Sequence, residues 1–216
     1  MQRSDIPERL LQAAREAFLT TGYQVSVDEI AQRAGIAKQT LYNHFKSKER
    51  LFVAVIRQAV VPATESLGAP APTLRERLVQ FGRTLRSHAL SDEGLALYRL
   101  VVSEAPRFPA EAELMWAAGA GAVHERLTAV LREAQAAGKL HAPSAEFAAD
   151  VLLSMLLAFD RLRPLYGLPR AEEAPAARTE QIVDAFLRAF DGVDCVLSTA
   201  PAGGLDSQPI RIPPAP

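Results

Sequence analysis

The chain reads as an all-α protein, and three observations carry that reading. Alanine and leucine are abundant, while β-branched runs are few. Apolar residues recur three and four apart in one segment after another, the spacing of a single helix face. Two of the shortest such segments are joined across a glycine within residues 26–52. With 216 residues, 49% of them hydrophobic, the chain can build a real core in one or two domains. About nine helices are expected.

In chain order, the first helix runs from about Asp5 to Thr21, with Leu10, Ala14, Ala17 and Phe18 on one stripe and Gly22 as its stop. Ser26 then caps a short helix, and Glu29 stands three residues on, the capping-box spacing. Ile30, Ala31 and Ala34 face inward. Gly35 ends the helix in a left-handed conformation that is cheap only for glycine. A second short helix spans about Lys38 to His44, with Leu41 and Phe45 inward. Two short helices across a glycine turn make a helix-turn-helix, whose second helix enters the DNA major groove. Its outward residues are lysine, amides, hydroxyls and an imidazole, which suit base edges and phosphates better than the Glu and Lys of an ordinary solvated face.

A fourth helix starts at Ser47 and reaches about Ala59, with Leu51, Phe52, Val55 and Ile56 inside. Pro62, Gly68, Pro70 and Pro72 mark residues 62–73 as a linker. A helix from Leu74 to Ala89 and a shorter one from Glu93 to Ser103 follow. After Pro106 and Pro109 comes one long helix from Ala110 to Ala137, ended by Gly138. The helix from Ala145 to Leu162 is apolar nearly all round, so it needs cover on two sides. The last helix, Ala176 to Phe190, has a single apolar stripe. These two helices predict a homodimer interface through Leu152, Leu156, Phe159, Val183, Phe186 and Phe190. The proline-rich, glycine-containing stretch 198–216 is expected to be a disordered tail.

The run Thr40-Leu41-Tyr42-Asn43-His44-Phe45-Lys46-Ser47-Lys48-Glu49-Arg50-Leu51-Phe52 resembles the signature of the TetR family of transcriptional regulators. Val27-Asp28-Glu29-Ile30-Ala31 and Ala34-Gly35-Ile36 match it as well. Residues Tyr98 to Pro109 resemble the C-terminal domain of the AefR-like branch. The resemblance implies a three-helix DNA-binding head over residues 1–60, a ligand-binding and dimerisation body over 61–197, a homodimer, and a habit of repression. It also makes Tyr42, His44 and Lys48 phosphate contacts, in agreement with their chemistry. Thr40 is a further phosphate or base contact. Lys38, Gln39 and Asn43 are the expected base readers, lysine for guanine and the amides for adenine. Ala37 departs from the family, which usually has a Ser or Thr cap there. The missing cap costs about 1 kcal/mol.

Charge agrees in sign. Residues 1–60 carry nine Lys/Arg against six Asp/Glu, so +3, and the remaining fifteen and nineteen give −4. A basic head on an acidic body suits a nucleic-acid partner. Arg3 and Ser4 either reach the DNA backbone or belong to a disordered terminus. A small hydrophobic or amphipathic effector is expected in the body, against Phe81, Leu85, Tyr98, Phe108, Trp116 and Met155. Plain core packing is the competing reading for each.

No cofactor or metal is expected, because His44, His88, His124 and His141 lie far apart without neighbouring ligands at metal spacing. The single Cys195 and the absence of an apolar leader or membrane span fit a cytoplasmic protein. The function expected is a non-enzymatic, ligand-responsive repressor on a near-palindromic operator. The alternative is an all-α small-molecule-binding or enzymatic protein that has lost DNA binding.

Overall fold

A computed structural model describes residues 5–169 and 175–191. They form ten α-helices: α1 (Asp5–Thr21), α2 (Val27–Ala34), α3 (Lys38–His44), α4 (Lys48–Ser66), α5 (Leu74–Ala89), α6 (Asp92–Glu104), α7 (Pro109–Ala118), α8 (Ala120–Ala136), α9 (Ala145–Leu165) and α10 (Pro175–Ala189). A 3-10 turn, Ala105–Arg107, separates α6 from α7. No strand occurs among the described residues. Arg3, Ser4, Cys195 and the stretch 198–216 lie outside them.

Caps and stops explain the first elements. The Ser26 side chain accepts the amide of Glu29 at 3.1 Å. The reciprocal half of the expected capping box is replaced, because the Glu29 carboxylate takes Arg33 at 2.7 Å. The complete box lies instead at the start of α5, between Thr73 and Glu76. Gly35 closes α2 at φ 64° and ψ 38°. Beside it, Arg9 of α1 donates to the Ala34 carbonyl at 2.7 Å, so α1 secures the end of α2.

Apolar burial divides into two clusters. The first joins Leu10, Ala14 and Phe18 of α1, Ile30 of α2, Leu41 of α3 and Leu51, Phe52, Val55 and Ile56 of α4. It also takes in Leu97 of α6 and Met115 and Ala118 of α7. The second contains Ala63 and Leu67 near the end of α4, then Leu78, Phe81 and Leu85 of α5, Leu127 and Leu131 of α8, Leu152 and Leu156 of α9, and Val183 and Phe186 of α10. α1–α3 and the start of α4 thus make a head, while α5 and α8–α10 make the centre of a body. α4 belongs to both.

Two helix boundaries differ from expectation. α4 runs through Pro62 to Ser66 rather than ending near Ala59. Pro62 removes one backbone hydrogen bond, a local cost of ~3 kcal/mol in an isolated helix. Here Val55 and Ile56 are buried on one side of it, and Ala63 and Leu67 on the other, so packing holds the helix together. The long helix expected from Ala110 to Ala137 is two helices broken at Gly119. A Cβ on Gly119 would stand 2.8 Å from Ile56 Cγ2, so α4 packs tightly against the α7–α8 corner at the break.

Within the body, Arg86 of α5 is buried and donates to the Leu156 carbonyl and to Asp160, both at 2.6 Å. This pair ties α5 to α9. Gly35→Ala should lower unfolding stability by about 1–2 kcal/mol, because the left-handed backbone strains a side chain and the new methyl crowds Arg9. Urea denaturation followed by circular dichroism reads it, and an unchanged midpoint refutes the role given to Gly35.

Candidate nucleic-acid interface

α3 is a short helix held from below. Leu41 is fully buried and Phe45 is half-buried, so the two fix its orientation. Its N-cap, Ala37, makes no side-chain hydrogen bond, as the residue type requires. Lys38, Gln39, Tyr42, Asn43 and His44 are exposed, and Thr40 is half-buried. All six therefore lie on one short element, and most of them face solvent.

These outward residues are tied to one another. Lys38 donates to Asp28 of α2 at 2.9 Å. That hydrogen bond and the carboxylate's charge hold the Lys38 ammonium above its ordinary pKa. Gln39 donates to Asn43 one turn later at 3.3 Å. Such exposed contacts contribute little to stability, so a base edge or phosphate can displace them.

Lys48 is the one expected phosphate contact that is folded back. It is half-buried, donates to the Tyr23 carbonyl oxygen, and lies 4.5 Å from the Tyr23 ring centroid. Desolvation lowers its pKa against the opposing pull of Glu49 and Glu104. The Tyr23 hydroxyl donates to Glu49 at 3.2 Å. Burial, then the Glu49 carboxylate, pushes the Tyr23 phenol well up. The Glu49 carboxyl is held down, first by the Ser47 hydroxyl and its own backbone amide. The α4 start is also capped by Ser47, which accepts the Arg50 amide at 3.2 Å. Tyr23 was not among the expected site residues. A tyrosine just after the α1 stop gave no sign that its ring would meet the α4 start.

The six residues expected around an effector do not converge. Phe81 and Leu85 are buried in the body core. Tyr98 and Met155 are exposed, and Trp116 is 63% exposed beside Gly121. Tyr98 carries the Arg161 guanidinium 4.2 Å from its ring centroid. Phe108 packs on Tyr23 of the head at 5.1 Å, far in role from an internal pocket. The larger surface depression, about 550 Å³, is lined by Arg75, Glu76, Val79, Gln80, Arg83, Thr84 and Glu180. A second, about 280 Å³, lies among Asp92, Leu95, Arg99, Pro164, Gly167, Leu168 and Pro169. Neither is lined by any of the six.

The expected dimer residues also separate. Leu152, Leu156, Val183 and Phe186 are fully buried within the subunit's own core, and Phe190 packs beside them half-buried. The structure places these five in or against the subunit's own core, among neighbours on α5, α8, α9 and α10. Phe159 alone stands open, 80% exposed, in a stripe with Met155, Leu162 and Tyr166 on the outer face of α9. Among the described residues, no cluster of His, Cys, Asp and Glu is arranged for a metal, and no helix is long and apolar enough to cross a membrane.

A helix-turn-helix head on an all-helical body is the architecture of a one-component transcriptional regulator. The family profile for bacterial regulatory proteins of the TetR family matches residues 10–55. That for the C-terminal domain of AefR-like transcriptional repressors matches residues 76–192. The chain belongs to the TetR family, in its AefR-like branch. The solved structure of the flavonoid-responsive regulator FrrA is 32% identical, with TM-score 0.67, over 88% of this chain and 99% of that one. A TetR-family regulator from Pseudomonas syringae pv. tomato str. DC3000 is 27% identical, with TM-score 0.66, over 88% and 99%. The transcriptional activator FasR of Mycolicibacterium smegmatis is 44% identical over 61 residues, 28% of each protein. The chain spans a third or less of the curated relatives that it matches.

The depressed Glu49 carboxyl predicts a head that loses some stability in acid. A carboxyl whose folded pKa is depressed stabilises the fold above its ordinary value and loses that contribution as pH falls through the folded one. The stability advantage of the wild type over Glu49→Gln should be complete at about pH 6 and shrink below 4.5. Denaturant midpoints measured across that window check it, and a constant difference refutes it.

Proposed function

We propose that the protein is a homodimeric, ligand-responsive repressor that reads a near-palindromic operator with α3. The observation that carries this is the exposed row Lys38, Gln39, Tyr42, Asn43 and His44 on a short helix anchored by Leu41 and Phe45. Lys38, Gln39 and Asn43 read base edges. Tyr42, His44 and Lys48 hold phosphates, and Thr40 assists either task. To act, Lys38 exchanges Asp28 for DNA, a swap of one anionic partner for another.

One head contacts too few base pairs for tight specific binding. Two heads on a two-fold axis reach successive major grooves, roughly 34–36 Å apart or a multiple. The outer face of α9, with Met155, Phe159, Leu162 and Tyr166, is the surface we assign to the second subunit. It is the apolar stripe that α9 leaves uncovered. Repression follows from occupying the promoter, and the AefR-like repressor profile supports it.

An effector releases DNA by binding one head spacing more tightly than the other. A hydrophobic or amphipathic small molecule fits the apolar body. FrrA, flavonoid-responsive by name and similar along nearly all of its length, supports that class.

DNA binding should weaken steeply with salt, with a log–log slope of about −0.9 for each phosphate neutralised. Gln39→Ala should relax preference at about one base pair, worth ~1–3 kcal/mol. Tyr42→Phe should weaken all sequences alike and leave the salt slope unchanged, because it removes a neutral donor. Equal, sequence-independent losses in both variants would overturn the division of roles.

Phe159→Glu should shift the protein from dimer to monomer in analytical ultracentrifugation while leaving helix content intact, since the side chain is 80% exposed in the subunit. A persistent dimer rules out the α9 face.

A further inference from the structure

Tyr23 stands where head and body meet. Its ring lies 5.9 Å from Phe18 and 5.2 Å from Phe52, both in the head. It also lies 5.1 Å from Phe108, which follows the 3-10 turn of the body. The Lys48 ammonium sits over the same ring, 4.5 Å from its centroid, and donates to the Tyr23 carbonyl. From the body side, the buried Glu104 carboxylate pairs with Arg107 at 3.0 Å and exerts its charge on both Tyr23 and Lys48.

An ammonium has three donors. One is committed to Tyr23, and Lys48 remains half-exposed, so donors remain for a phosphate. A free lysine side chain samples many rotamers and surrenders them on binding. The ring face and the carbonyl remove that freedom in advance. The ring in turn is held by Phe18 and Phe52 from within the head and by Phe108 from outside it.

We propose that Tyr23 and Phe108 are positioning residues for Lys48: Phe108 seats the Tyr23 ring, and the ring and carbonyl of Tyr23 aim the ammonium at a DNA phosphate. This rests on the reading of α3 and the α4 start as the DNA-binding surface. It gives the body a route to the start of α4 that does not pass through Pro62. A shift of residues 105–108 withdraws Phe108, lets the ring tilt, and frees Lys48 to wander.

The test is a double-mutant cycle on the full chain. Wild type, Lys48→Ala, Phe108→Ala and the double variant are titrated against a random-sequence duplex at several salt concentrations. Lys48→Ala should reduce the salt slope by about one. Phe108→Ala should weaken binding by about threefold or more in the wild-type background and shallow the slope. In the Lys48→Ala background it should change binding by less than about 1.5-fold, the mark of two residues acting through one contact. Phe108→Leu, which keeps an apolar plug, should act in the same direction but less. It replaces the alanine variant if melting shows that the head has unfolded. Multiplied effects in the double variant, or an unchanged slope in both Phe108 variants, overturn the proposal. Loss of all salt-dependent binding in the wild type overturns the DNA-binding reading itself.

Discussion

The structure depends on α4 being packed into two cores at once. Its first half contributes Leu51, Phe52, Val55 and Ile56 to the head, and its end contributes Ala63 and Leu67 to the body. Close-packed interiors do not deform smoothly, so a helix shared between two of them moves as a lever or not at all. Pro62 lies between the two buried stretches, where the backbone ladder lacks a rung. The α7–α8 break nests against Ile56, so the corner at Gly119 bears on the same lever. Ile56, a residue of the head cluster, and the α7–α8 corner of the body therefore meet directly.

The head itself is prepared for contact by weak ties. α3 has no side-chain cap, and its position comes from Leu41 and Phe45 beneath it and from α2, whose end is fixed by Gly35 and Arg9. Its outward donors are kept in place by Asp28 and by the Gln39–Asn43 pair. Each tie is exposed and therefore weak enough to exchange for a nucleic-acid partner. Lys48 is held more firmly, by an aromatic face and a carbonyl. The ring beneath it is reached by Phe108, so Lys48 is tied to the body through one aromatic contact.

Much of the head was legible in the chain because its signals are local. A cap at Ser26, a left-handed glycine at position 35 and apolar residues four apart each act over one helical turn, and each stands in the structure as expected. The capping box at Glu29 failed because Arg33, one turn on, competes for the same carboxylate. Pro62 misled for a related reason. Its cost is local, but the packing that overrides it comes from residues on both sides in two separate cores. Gly119 hid the α7–α8 break because a glycine within a helical pattern is equally a close-packing residue, and only the approach of Ile56 decides between them.

What the sequence determined alone is the class of the protein, the first three helices and the outward residues of α3, since periodicity, caps and the spacing of the helix-turn-helix are properties of neighbouring residues. Only the tertiary structure decided which side of α9 is inner. Both sides are apolar, and Leu152 and Leu156 were as plausible at a subunit interface as Phe159 until α5, α8 and α10 were seen to cover them. It also moved Phe108 from an expected pocket to the seam with the head, and made Tyr23, a residue with no expected role, the seat of Lys48. Those contacts join residues 25 and 85 positions apart, and no local pattern encodes a meeting at such a distance.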